Sequence, residues 1–102
     1  MNQFELETRL IDFACRVIDL VEHLPKTPVA KLLGAQILRS GTAPALNYGE
    51  ARGAESREDF IHKMKICLKE LRETMVSLKI IQKRNVFFEL CPEIYFLHEN
   101  HY

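Results

Sequence analysis

The sequence lacks several features that would place a protein in a membrane, in a secretory pathway or on nucleic acid. No apolar run approaches the ~18 residues that a membrane span requires. The first residues lack the basic start and continuous apolar stretch of a signal peptide, so we expect none. The 14 basic and 14 acidic side chains cancel, which argues against a basic footprint over the whole chain.

Cysteines are few and widely separated, at Cys15, Cys67 and Cys91. An odd number at such spacing favours neither a disulfide framework nor a zinc site. Reduced thiols packed as small apolar groups are the interpretation we favour, and they indicate a cytoplasmic protein.

Motifs of catalysis and metal binding are also lacking. There is no supported Ser/His/Asp or Cys/His arrangement and no glycine-rich phosphate loop. His98 and His101 have a spacing that a metal could use, but no carboxylate or cysteine is placed to complete the shell, so solvated histidines are favoured. We therefore predict a protein that is not an enzyme, with no cofactor, no metal and no identified small-molecule substrate.

The strict alternation of apolar and polar residues that is typical of β-strands is also absent, and apolar residues instead recur with the period of an α-helix. Apolar residues recurring at steps of three and four predict helices over residues 4–24, 28–52 and 57–84, and Pro92 predicts a short fourth helix over 92–102. The third should be longest, because no glycine or proline interrupts it. Short connections favour one all-α domain over residues 1–102, an antiparallel up-down-up-down four-helix bundle.

Local signals fix the ends of these helices. Thr27 and Pro28 suit the cap and first position of the second helix, and Ser56 to Asp59 resembles a capping box before the third. Pro44 should kink the second helix or start a new segment within it. Leu71 lies in the middle of the third helix's apolar stripe and is predicted to be a core residue.

The most distinctive pattern runs through the second and third helices. It comprises QILRSGT at 36–42, NYGEA at 47–51, SREDFI at 56–61 and LKELRET at 68–74. On these motifs the chain resembles the bacterial four helix bundle protein family, also called 23S rRNA intervening-sequence or S23 proteins. The resemblance covers roughly residues 10–100.

The resemblance implies an antiparallel four-helix bundle that assembles as a ring-shaped homopentamer, with no established reaction. Related proteins include the accessory variability determinant of diversity-generating retroelements, which binds nucleic acid and a reverse transcriptase. The chain departs from the family pattern at Pro44 and Ala45, and its predicted fourth helix is about half the usual length.

Charge is unevenly distributed along this neutral chain. Residues 1–24 carry two basic and five acidic side chains, whereas residues 56–84 carry eight basic and four acidic ones. Five cations share one flank of the third helix, which makes them candidate nucleic-acid-binding residues: Lys65, Lys69, Arg72, Lys79 and Lys83. The competing interpretation pairs them with acidic residues of the first helix, such as Asp12, Asp19 and Glu22, or with another subunit.

Two further sets of residues are candidates for interaction. Ile66, Val76 and Ile80 point away from the core stripe and are a candidate oligomer interface, the alternative being a solvated face with scattered apolar residues. The polar residues Arg39, Asn47 and Glu50 fall on one side of the second helix. They indicate either a polar pocket or pore lining, or a hydrogen-bonded network that fixes helix register, and the network is favoured.

These patterns predict a non-enzymatic, self-assembling helical module, with the homopentamer implied by resemblance only. The alternative is an accessory protein that binds RNA or DNA along the basic flank of the third helix. An enzyme with a polar pocket around Asn47 and Glu50 is a distant third.

Overall fold

The structure, a computed structural model, describes residues 1–84. They form α1 (Gln3–Glu22), α2 (Pro28–Arg52) and α3 (Arg57–Lys83). No strand occurs over this range, so the predicted all-α class is confirmed. α3 is the longest of the three, with 27 residues. The helix predicted over 92–102, and with it the fourth member of the bundle, lies outside the described residues.

Side-chain caps begin α2 and α3 where the sequence predicts. The Thr27 hydroxyl accepts a hydrogen bond from the Ala30 amide at 3.1 Å, and Ser56 accepts one from the Asp59 amide at 3.0 Å. The return bond of a capping box, from the Ser56 amide to Asp59, is not formed in this part of the chain. Aspartate is one methylene shorter than the glutamate that usually makes this bond.

α2 is continuous through Pro44, so of the two outcomes expected there, a kink or a new segment, the new segment does not occur. Pro44 lacks an amide proton, which removes one bond from the helical ladder. The residue is nevertheless fully buried, and its carbonyl accepts a weak hydrogen bond from the Cys67 thiol of α3 at 3.5 Å. The continuous helix at this position is therefore buried and in contact with α3.

α2 packs antiparallel against both other helices. Towards α1, contacts run from Leu24 with Gly34 to Tyr48 with Gln3, so the residue numbers change in opposite directions. Towards α3, the contacts of Arg39 with Glu73 and of Glu50 with Lys63 show the same reversal. Residues 1–84 therefore form three helices, each antiparallel to the next and connected by short turns, as the sequence predicts for this part of the chain.

The core consists of two layers, each with one buried residue from every helix. One layer joins Leu10, Tyr48 and Cys67. The other joins Val17, Ile37 and Ile81. The predicted core residue Leu71 is only half-buried, because the buried stripe of α3 faces α2 and lies beside Leu71: Cys67, Glu70, Thr74, Ser77 and Ile81.

Candidate interaction surfaces

The five cations of α3 all lie on its solvent side. Each of them is exposed, and within residues 1–84 none forms an ion pair: Lys65, Lys69, Arg72, Lys79 and Lys83. The predicted pairing with Asp12, Asp19 and Glu22 of the same chain does not occur in this range. We call these five residues the basic flank.

The apolar residues predicted beside the basic flank differ in exposure. Val76 is 56% exposed and Ile80 is 45% exposed, whereas Ile66 is half-buried. Val76 follows Lys69 by seven residues and precedes Lys83 by seven, so it lies within the row of cations. The two most exposed members of the set thus share a surface with the basic flank.

The polar residues of α2 lie along its edge towards α3 and make separate contacts. Arg39 donates from Nη1 to Glu70 at 3.0 Å and from Nη2 to Glu73. Asn47 Nδ2 donates to the carbonyl of Ala43 in its own helix at 2.9 Å. The three residues predicted as one network therefore do not bond to each other.

Glu50, the third of these residues, accepts a hydrogen bond from Lys63 Nζ at 3.0 Å. That hydrogen bond is the main cause that raises the pKa of Lys63 above its ordinary value. The hydrogen bond to Glu70 likewise raises the pKa of Arg39, and the charge of Glu73 adds to it. These contacts connect α3 to α2. The carboxylate of Glu50 is bound to Lys63, whereas a polar pocket around Asn47 and Glu50 would need that carboxylate to be free.

A buried polar contact between α2 and α3 was missed by sequence reasoning. The hydroxyls of Ser40 and Thr74, both fully buried, are 2.8 Å apart, and Thr74 Oγ1 lies 2.9 Å from the Glu70 carbonyl. The sequence analysis assigned no contact to either hydroxyl. The available signal was their position, because Thr74 replaces an apolar residue in the stripe of α3.

A second surface that sequence reasoning missed lies on α1. Phe4, Ile11 and Ile18 follow each other at seven-residue spacing and are all exposed. The apolar periodicity of the first helix did not separate this outer stripe from the inner one. Arg52 of α2 covers one end of it, with its guanidinium carbon 5.1 Å from the Phe4 ring centroid.

The thiols and histidines provide no metal centre in the described part of the chain. Residues 1–84 hold no group of three or more histidine, cysteine or acidic side chains placed around one point. Cys15 is exposed, whereas Cys67 is buried, and its burial raises the pKa of the thiol. His98, His101 and Cys91 lie outside the described residues. Across residues 1–84, no helix has both the length and the apolar character needed to span a bilayer.

Over residues 1–84, these features define a small protein of antiparallel helices with charged and apolar surfaces. A family model described as the 23S rRNA-intervening sequence protein matches residues 3–95. The chain belongs to this family. The resemblance inferred from the sequence motifs is thereby confirmed at the level of the family.

A solved structure supports the same assignment. The chain is similar to a protein of unknown function from the S23 ribosomal protein family of Bacteroides thetaiotaomicron VPI-5482. The two are 33% identical, the match covers 98% of this chain and 87% of the other, and the TM-score is 0.78. A search of curated proteins finds no match.

Proposed function

We propose that this protein is a non-enzymatic helical module that acts by associating with copies of itself. The observation that carries the proposal is the amount of apolar surface left outside the three-helix core. Exposed leucine, isoleucine, valine, methionine or phenylalanine side chains occur on all three helices, including Ile18, Leu38 and Val76. Clustered exposure of this kind marks interaction surfaces on small domains.

The interface predicted from the sequence is part of this proposal. Val76 and Ile80 are exposed on α3, and Ile66, about three turns earlier in the same helix, is half-buried. Burying such side chains contributes about 1.5–3 kcal/mol each when burial is complete. The pentamer that the resemblance implies is the expected assembly.

The test is the mass of the protein in solution. Gel filtration coupled to light scattering at tens of micromolar should give a multiple of the 11.9 kDa chain, and a fivefold mass supports the pentamer. A monomer at that concentration would contradict the proposal. Val76→Ser with Ile80→Ser should shift the mass towards the monomer. Leu32→Ser, at an exposed apolar residue of α2 outside this interface, is the control.

The finer fold assignment, a four-helix bundle, is also a proposal. Leu68 and Met75 are exposed beside half-buried Met64 and Leu71 at helical spacings, which leaves an apolar row along α3. We propose that residues 85–102, which follow α3 directly, cover this row. A chain ending at Arg84 should have a lower melting temperature than the full chain and should bind more of a hydrophobic dye. Equal melting temperatures would contradict this assignment.

Nucleic-acid binding is the second candidate function. It is favoured by one observation, that all five cations of the basic flank are exposed and lack a carboxylate partner within residues 1–84. Copies of the flank in an oligomer would multiply the local charge and could hold a phosphate backbone. Base-specific readout is not expected, because the flank offers no aromatic side chain for stacking.

A titration of labelled RNA and duplex DNA at two salt concentrations tests this candidate. Binding should weaken steeply as salt rises, and Lys65→Glu with Lys79→Glu should abolish it, because the reversed charges repel the phosphates. Absence of binding at low salt would exclude this function.

A further inference from the structure

The outer face of α1 carries a pattern in which each exposed apolar residue is followed by a carboxylate. The pairs recur every seven residues, and all six side chains are exposed: Phe4 with Glu5, Ile11 with Asp12, and Ile18 with Asp19. Seven-residue spacing keeps each row along one stripe of a helix. We call the carboxylates Glu5, Asp12 and Asp19 the acidic row.

The basic flank of α3 contains a row with the same spacing. Lys65, Arg72 and Lys79 also recur every seven residues, with Val76 and Ile80 beside them. Both rows cover 14 residue steps, so each extends about 21 Å along its helix. One helix of this chain therefore carries three carboxylates at the spacing at which another carries three cations.

Neither row finds an ionic partner within its own chain over residues 1–84. The one contact of an acidic-row carboxylate in this range is a hydrogen bond of 3.3 Å from Asn2 to Glu5. The four ion pairs that do form there involve other residues of α1, α2 and α3. The charges of both rows are thus available to a partner.

We propose that the outer face of α1 in one copy docks on the basic flank of α3 in a second copy. This inference rests on the proposed self-association and assigns its two surfaces. Phe4, Ile11 and Ile18 would be buried against Val76, Ile80 and the aliphatic stems of the lysines, while the acidic row meets Lys65, Arg72 and Lys79. The occupant is a copy of this chain because the complementary row, of equal length and spacing, is in the chain itself.

The two surfaces are different, so the contact is head-to-tail. Each copy offers one α1 face and one α3 flank, and successive copies add until the rotation closes a ring. Arg9 and Arg16, also seven apart, lie on α1 beyond the acidic row. If α1 were rotated about its axis so that Arg9 and Arg16 faced α3 of the second copy, these arginines would meet its cations and repel them. This repulsion restricts the docking to one orientation.

Nucleic acid is the competing partner for the same cations. The neutral chain and the apolar side chains of Val76 and Ile80 within the flank favour a protein surface over a phosphate backbone. A docked copy would cover the flank, so a single face cannot serve both partners at once.

Charge reversal on each surface tests the docking, with light scattering and sedimentation used to obtain the dissociation constant. Lys65→Glu with Lys79→Glu, or Asp12→Lys with Asp19→Lys, should each weaken association at least about tenfold, because like charges then face each other. Combining all four substitutions in one chain should restore assembly, since the two rows are again complementary. Lys26→Glu with Lys31→Glu, at exposed lysines outside both rows, is the matched control and should leave the mass unchanged.

The outcomes separate this inference from the proposal on which it rests. A monomeric wild-type protein would overturn both. A wild-type oligomer whose mass survives both reversals, or a fourfold variant that stays dissociated while its helical circular dichroism is intact, would overturn the docking and leave self-association standing. Binding of RNA or DNA by the intact oligomer that is lost on reversal of the lysines alone would also overturn it.

Discussion

The two edges of α2 are built from different chemistry. Towards α1 the middle of the contact is apolar and very close: the position that a Cβ on Gly41 would take is 2.7 Å from Cγ1 of Val17. Towards α3 the middle of the contact is polar, between the two core layers, with hydrogen bonds from Arg39 to Glu70 and between Ser40 and Thr74. The first edge depends on the absence of a side chain, and the second depends on the presence of matched pairs.

This difference predicts how each edge fails. A close apolar contact is disrupted by added volume, since interiors are packed densely and branched side chains such as valine rotate little. A buried polar contact is disrupted by removing one partner, because the other then remains buried without a hydrogen bond.

The largest effect is expected for Gly41→Ala. The added methyl would overlap both γ-carbons of Val17, at 2.7 and 2.8 Å, and forcing α1 and α2 apart should cost about 1–3 kcal/mol of the free energy of unfolding. Urea denaturation of the variant and the wild type measures the difference.

Gly49→Ala is the matched control in the same helix. A Cβ at Gly49 meets no atom within 4 Å, so this substitution should stabilise the protein by about 0.4–1 kcal/mol through reduced chain entropy in the unfolded state. If both substitutions changed the free energy of unfolding equally, the contact between Gly41 and Val17 would not be what determines how closely α1 approaches α2.

Thr74→Val should have the next largest effect, on the opposite edge. Valine keeps the volume but leaves the Ser40 hydroxyl without its partner in a site with no solvent exposure, at a cost of about 1–3 kcal/mol. Thermal and urea denaturation measure this cost.

The double variant Ser40→Ala with Thr74→Val sharpens the assignment. Removing both hydroxyls leaves no unmatched partner of this pair, so its cost should fall below the sum of the single costs by about 0.5 kcal/mol or more. Strict additivity would mean that the two hydroxyls do not interact.

The smallest effect is expected for Lys63→Gln, at the exposed end of the polar edge. The pKa of Lys63 is raised in the folded state, chiefly by its hydrogen bond to Glu50. A raised pKa contributes stability that is fully present below the ordinary value of 10.5 and is lost as pH rises through the folded value.

The melting temperatures of the wild type and Lys63→Gln should therefore differ slightly at neutral pH. They should converge as the pH rises above the ordinary value of 10.5 and through the raised value of the folded state. Lys31→Gln, at an exposed lysine outside both rows, is the control for the loss of an amine. A difference at Lys63 that is independent of pH would show that its charge is not the cause.

Several parts of the fold were predictable because their causes are local. The caps at Thr27 and Ser56 and the span of α2 depend on residues within one or two helical turns of each other. The all-α class follows from periodicity in the same way. The motifs shared with the 23S rRNA-intervening sequence proteins likewise lie within one chain segment, and they identified the family before any contact was known.

The partners of individual side chains were not predictable, because they depend on rotation and register between helices. Periodicity assigned Leu71 to the core, but α2 also buries Glu70 and Ser77 of α3, whereas Leu71 is half-buried. Likewise, spacing grouped Arg39, Asn47 and Glu50, whereas the structure gives each a separate partner. A difference of one residue in register would exchange these partners without altering any local signal.

The sequence by itself determined the three helices of residues 1–84, the caps at Thr27 and Ser56, the family, and the two seven-residue rows of opposite charge, since these are properties of residues close together along the chain. Only the tertiary structure decided which apolar residues remain exposed and which charges remain unpaired. Exposure and pairing depend on what the neighbouring helices cover, and that is fixed by the approach of α1 to Gly41 on one side of α2 and by the hydrogen bonds to α3 on the other.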